Sequence, residues 1–453
     1  MDMTKGNVPK LLMKFALPIM LGDLFQQLYI AADTAIVGQY AGSLALVAVG
    51  STIFLIRLVI GLFVGISAGA SVVLSHSVGA KDDAKAGRTV HTMVGLTVIG
   101  GIALSVLGIL GAKGLLRLVA TPEDVLQEAT IYLQIYLGGA LFDLIYNVGS
   151  GILNAYGNSR KAFFFLMSSS VVNILLDILL VKCIPLGVVG AAMATVISQA
   201  LAAVLIIIEM SRTSQSYHLY ISKVRPESEL VSEILRMGLP AGFQSMIVAL
   251  SNVIVQLNVN HYGSAVVGGF SIFNKIDGVL MLPCISLATA AMSYTGQNYG
   301  ASKGNRIIKG IQATFIMEMA GFLIGTLACI FWGREILTIF TSDEKIIAYG
   351  LITMQYLIPF YWTMTVSYAL LCIIRGMGRS KEASIISIMN MCVARQIWIV
   401  IANACGMGYK GILLSYPVSW ILTLAGAVLY GLYLKKTGEF NEDKHKGPDI
   451  LRV

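Results

Sequence analysis

The stretch SVGAKDDAKAGR (77–88) is answered by GQNYGASKGNR (296–306), with Gly79-Ala80 set against Gly300-Ala301 at a spacing of 221 residues. Outward from this pair the same spacing sets Gly42-Ser43 against Gly263-Ser264, Gln134 against Gln355, Gly157 against Gly378 and Ser159 against Ser380. Further on, Gly187, Gly190 and Ser198 meet Gly408, Gly411 and Ser419. Ahead of Gly42 the spacing slips to 222, so that Pro18 is matched by Pro240, as a one-residue loop deletion requires. Gly, Pro and Ser punctuate helices, so the duplication repeats the placement of turns and close contacts.

What is repeated is a membrane-spanning unit. The 453 residues are 56% hydrophobic and 12% charged, and the mean hydropathy is +0.78; a soluble domain carries about 25% charged residues. Apolar runs long enough to span a bilayer, about 20 residues each, fall at 14–37, 44–76, 89–112, 123–147, 162–182 and 187–210. The second half repeats them at 231–259, 266–298, 306–332, 343–374, 383–404 and 410–434. The expected fold is an all-α integral membrane protein of about twelve transmembrane helices. With an even number of spans per half, the two six-helix bundles are expected to be related by a pseudo-twofold axis along the membrane normal, a parallel repeat of the kind that transporters use for alternating access. The expected organisation is an N-lobe at 1–210, a cytoplasmic linker at 211–232, a C-lobe at 233–436 and a cytoplasmic tail at 437–453.

The formal charge of +8 raises the question of nucleic acid. Placement answers it, because with the N-terminus inside, 23 of the 32 lysines and arginines fall in inside segments, among them Lys81, Lys85, Arg88, Lys303, Arg306, Lys435, Lys444, Lys446 and Arg452. By the positive-inside rule both termini are expected in the cytoplasm of a multi-pass plasma-membrane protein, with the bilayer as the partner and no nucleic acid. The six cysteines show no C-x-x-C and the five histidines no ligand spacing, so core cysteines and no structural metal are expected. There is no G-x-x-x-x-G-K-[ST] loop, so no nucleotide cofactor is expected and energy would come from an ion gradient. The absence of H-E-x-x-H argues against an enzyme.

Ionisable groups inside a bilayer cost at least about 2.5–3.5 kcal/mol each at a helix centre and need a partner or a purpose. Asp33 and Asp177 each fall about five residues from the outer end of their span, or about 7 Å deep at 1.5 Å per residue. Asn173 is one helical turn from Asp177 on the same face, and Thr195 and Tyr132 reach a similar level. Two carboxylates, an amide, a hydroxyl and a phenol could bind Na⁺, share one proton between the acids, or form a set of helix-packing hydrogen bonds. Arg57, Lys275 and Asp277, near mid-membrane on the second and eighth spans, could face substrate or neutralise one another. Asp23, Asp143, Glu318 and Arg395 are read as structural partners of unassigned pairing.

AADTAIVG (31–38), SVGAKDDAKAGR (77–88), GNSRKAFFFLMSSSVVNILLDILLV (157–181), IPLGVVGAAMATVISQ (184–199) and GQNYGASKGNR (296–306) are similar to stretches of the MATE family of multidrug and toxic-compound extrusion transporters. The resemblance covers nearly the whole chain. It implies a monomeric, twelve-helix, two-lobed antiporter that expels small amphipathic or cationic compounds against Na⁺ or H⁺. It also implies that Asp33, Asn173, Asp177 and Thr195, with Tyr132, form the cation site of the branch with an acid on the first helix. The chain departs from another branch that has an acid in the seventh helix, since it reads Val255, Gln256, Leu257 and Asn258 there. A flippase for a lipid-linked or polyanionic substrate is the alternative, and an intramembrane enzyme a third reading.

Overall fold

The long apolar runs fold as helices because a backbone in hydrocarbon must satisfy its own N–H and C=O groups. The computed structural model describes residues 1–119 and 121–441. The first half comprises α1 (Val8–Ile36), α2 (Ser43–Ala80), α3 (Asp83–Leu118), α4 (Glu123–Gly138), α5 (Ala140–Ala155), α6 (Ser159–Asp177) and α7 (Gly187–Arg212). The second half comprises α8 (Ser228–Asn260), α9 (Ser264–Leu280), α10 (Leu282–Gly300), α11 (Gly304–Thr338), α12 (Glu344–Leu357), α13 (Tyr361–Gly376), α14 (Ser380–Ser387), α15 (Arg395–Ala404) and α16 (Gly408–Lys436). Wide π turns occupy Val37–Ala41, Ile178–Cys183 and Ile388–Ala394. The described residues contain no strand.

Among the described residues nine helical stretches are long and apolar enough to cross a bilayer, and two bent pairs, α4–α5 at 46° and α9–α10 at 41°, bring the number to eleven. The 29-residue α1, which carries Asp23, Gln26, Gln27 and Asp33, is not among these stretches and makes the twelfth. The expected tail beyond residue 441, with Lys444, His445, Lys446 and Arg452, lies outside the described residues.

The repeat is a repeat of backbone conformation. Gly42 and Gly263, 221 residues apart, start α2 and α9 at φ +94° and +92°, a left-handed conformation that glycine adopts without a Cβ clash. Gly157 and Gly378 do the same at +72° and +85°, and Lys81 and Ser302 match at +58° and +56°. The two halves part company at Pro283, whose counterpart is Leu62. Leu62 lies within the unbroken 38-residue α2. Pro283 sits in the first turn of α10, just past the 41° bend, where its missing N–H removes a helical bond.

By contact the chain divides into one unit of residues 1–2 and 21–242 and another of residues 3–20 and 243 onward. In the first unit, Gly65 and Gly69 of α2 meet Gly238 and Gly242 of α8 backbone to backbone. A Cβ at Gly65 would stand 2.2 Å from the Gly242 nitrogen, and one at Gly69 2.4 Å from the Gly238 Cα. Two G-x-x-x-G faces thus allow the close packing that holds helices together in lipid. In the second unit the N-terminal residues strap the end of α10 and the start of α11: Met3 N–H donates to Gln297 Oε1 at 2.8 Å, and Lys303 Nζ donates to the Thr4 carbonyl at 2.9 Å. Arg306 donates to the carbonyls of Gly6 and Met3, both at 3.2 Å.

Candidate functional site

Asp33 and Asp177 occupy equivalent local settings. Each stands at the end of an α-helix that opens into a π turn, α1 into Val37–Ala41 and α6 into Ile178–Cys183. The two π turns pack on each other, and Lys182 of one lies over the Tyr40 ring of the other at 5.0 Å. π turns widen a helix and re-aim the side chains beside them. Here they bring the two carboxyl groups side by side.

The structure places the five residues singled out on α1, α4, α6 and α7 in one cluster within the first unit. Asp33 is 9% exposed, Asn173 1%, Asp177 0%, Thr195 7% and Tyr132 5%. The Tyr132 hydroxyl meets the Thr195 side chain and faces both acids. Thr195 spends its own proton on the Ala191 carbonyl at 3.0 Å, which leaves its oxygen lone pairs for the cluster. Asp33 Oδ1, both oxygens of Asp177 and both polar atoms of the Asn173 amide are buried with no hydrogen-bond partner. None of the ion pairs among the described residues involves either acid.

An uncompensated buried carboxylate is one of the costliest arrangements a protein can hold, and two side by side cannot both stay ionised without a counter-cation. For Asp33 Oδ1, Asp177 and Asn173 the structure shows none of the hydrogen bonds that a helix-packing set would make. The donor set is all oxygen apart from the amide nitrogen: two carboxylates, the Asn173 carbonyl oxygen and the hydroxyls of Thr195 and Tyr132. Such a set suits a hard monovalent cation or a shared proton, and it does not suit a soft metal. Among the described residues no three His, Cys, Asp or Glu side chains gather into a metal centre.

Further members surround the cluster. Tyr29 faces Asp33, Asp143 and Asp177, and Tyr136 stacks on Tyr132 at 6.4 Å while accepting from Gln199 Nε2 at 3.3 Å. Asp143 accepts from Asn147 Nδ2 at 3.1 Å. The signal for three of them is in the sequence, since Tyr29, Tyr136 and Gln199 lie four residues, one helical turn, from Asp33, Tyr132 and Thr195.

The second unit fills the corresponding positions differently. Asp33 is answered by Val255 and Asp177 by Trp398. Val255 is wholly buried in an apolar core with Phe273 and Trp420, and Trp398 donates to the Gly411 carbonyl at 3.0 Å. Thr195 is answered by Tyr416, over whose ring the Arg395 guanidinium lies at 4.5 Å. Arg395, 3% exposed, donates to Ser419 Oγ at 2.9 and 3.1 Å and to Asn252 Oδ1 at 2.9 Å. The first unit gathers negative charge at this locus, whereas the second holds a resident positive one.

Arg57, Lys275 and Asp277 do not join the acid cluster. Arg57 is exposed on α2, Lys275 on α9 lies 6.0 Å from the centre of the Phe340 ring, and Asp277 accepts a 2.5 Å hydrogen bond from the Tyr361 hydroxyl.

A family model described as MatE matches the chain twice, at residues 18–179 and 240–401. The probable multidrug resistance protein YpnP of Bacillus subtilis is 29% identical over 436 residues, 95% of this chain and 96% of that protein. The multidrug export protein MepA of Staphylococcus aureus is 24% identical over 430 residues, 94% of each. Among solved structures, a MOP superfamily transporter from Pyrococcus furiosus superposes with a TM-score of 0.90 at 22% identity, covering 97% of this chain and 98% of that one. The outward-facing form of a multidrug resistance MATE family transporter also gives 0.90 at 22% identity, covering 96% and 98%. The twice-matched family model, the all-helical fold and the duplicated register agree: the chain belongs to the MatE family of multi-pass membrane transporters.

Proposed function

We propose that this protein is a secondary active efflux transporter that exchanges organic cations and other amphipathic compounds for Na⁺ or H⁺ by alternating access. The coupling ion binds at Asp33 and Asp177, with Asn173, Thr195 and Tyr132 completing the site. The observation that carries this reading is the buried pair of acids, in which Asp33 Oδ1 and both oxygens of Asp177 lack a hydrogen-bond partner among the described residues. An entering cation or proton removes the repulsion between the carboxylates and draws α1 and α6 together. The π turns beside both acids absorb the change. Discharge of the ion to the other side restores the repulsion, so the two states of the site correspond to two states of the helices. An acidic centre favours cationic cargo over the polyanion of a flippase. Both termini and the 211–232 linker lie in the cytoplasm of the cell membrane under this reading, where the excess of Lys and Arg belongs.

The test is efflux of ethidium from proteoliposomes with the sodium and pH gradients imposed one at a time. One of the two gradients is expected to drive efflux alone. Efflux that needs neither, or that follows ATP supply, contradicts the proposal.

A further inference from the structure

Glu318 of α11 stands apart from the first unit's cluster. It is 3% exposed, and its Oε1 has no hydrogen-bond partner. The Thr314 hydroxyl, one turn earlier on the same face, is equally buried and unpaired. The thiol of Cys284 adjoins the carboxyl from α10, and none of the ion pairs among the described residues involves Glu318. Both Thr314 and Glu318 line a cavity of about 540 Å³ walled by α11, α13 and α16. Its other walls are almost wholly apolar, including Phe315, Trp362, Val366 and Leu424, and Lys435 stands in the last turn of α16.

We propose that this cavity binds lipophilic organic cations, with the ammonium group on Glu318 and the apolar body against Phe315 and Trp362. The volume suits a drug-sized ligand. Phe315 and Trp362 are 48% and 38% exposed, so their faces are open to a cation–π contact. A metal ion would find one carboxylate and one hydroxyl, too few oxygens for its shell. A proton alone would neutralise Glu318 but make no use of the apolar walls. The first unit does not repeat these residues. At the 221-residue spacing Glu318 is answered by Thr97, which satisfies itself on the Met93 carbonyl at 2.7 Å, and Trp362 is answered by Leu141. The site shares no residue with the Asp33–Asp177 cluster, so each can fail without the other.

The experiment is titration of the purified full-length protein with ethidium, read as quenching of Trp362 emission, taken as the difference between wild type and Trp362→Phe. A neutral phenanthridine serves as the uncharged control. Glu318→Gln is expected to weaken ethidium binding at least tenfold and to leave the neutral control unchanged. Gly431→Leu is expected to block both, because a Cβ at Gly431 meets nothing within 4 Å and the side chain enters the cavity without moving the backbone. Asp33→Asn is expected to leave the quenching intact whatever it does to efflux. Wild-type quenching in Glu318→Gln overturns the proposal, as does wild-type quenching in Gly431→Leu should the first variant not fold. Quenching lost in Asp33→Asn but kept in Glu318→Gln assigns the ligand to the first unit and overturns it equally.

Discussion

Asn173 and Asp177 are fixed one turn apart by helical geometry, and each polar atom they present is buried without a partner. The cost of leaving such groups unpaired is about 1–3 kcal/mol for a neutral one and more for a charged one. Under the proposed function that cost is recovered when the coupling ion occupies the site. Thr195 contributes lone pairs, because its proton is committed to Ala191. Thr195→Ala is therefore expected to raise the half-saturating concentration of the coupling ion roughly tenfold, about 1.4 kcal/mol, with maximal efflux rate retained. An unchanged ion dependence in proteoliposome efflux would remove Thr195 from the site. Asn173→Leu is expected to act more strongly, since an apolar group then faces both acids. The grouping of Asp33, Asn173, Asp177, Thr195 and Tyr132 was legible in the sequence from depth and helical spacing. Glu318 was not: an acid within an apolar run does not show whether a partner waits on the neighbouring helix, and the structure leaves its Oε1 without one.

At the level of elements, the twelve spans followed from apolar run length and the turns from glycine. Bends and π turns did not. The 41° break between α9 and α10 needs Pro283, but Pro18, Pro240 and Pro417 lie inside helices that continue, so proline alone does not mark a break. The π turns after α1 and α6 carry no composition signal, yet they aim the acids. Close helix contact is easier to test. Gly65→Val would force α2 and α8 apart, since even a Cβ comes within 2.2 Å of backbone. Overpacking costs about 1–3 kcal/mol or more, and a clear fall in the melting temperature of the purified protein is expected. Gly111→Ala, on α3 where a Cβ meets nothing within 4 Å, is expected to leave melting unchanged or to raise it slightly, because alanine favours a helix by about 1 kcal/mol over glycine. Equal melting of both variants would refute the close packing of α2 on α8.

The molecule as a whole repeats its scaffold and not its chemistry. Matched left-handed residues keep the turns in both halves, while the acids of the first unit correspond in register to Val255 and Trp398 of the second. Arg395 already supplies positive charge beside Tyr416, the counterpart of Thr195, so an acid introduced at Val255 would meet a guanidinium and not a free ion. Restoring the charge in the wrong half is thus expected to fail: Asp33→Asn/Val255→Asp should transport no better than Asp33→Asn alone. Recovery of coupling in the double variant would show the halves to be interchangeable. The most direct measurement compares wild type with Asp33→Asn in proteoliposomes, following ethidium efflux driven by the effective ion gradient and, separately, ethidium exchange without any gradient. The account predicts that Asp33→Asn loses gradient-driven efflux and keeps exchange. Gradient-driven efflux at the wild-type rate in Asp33→Asn would contradict it.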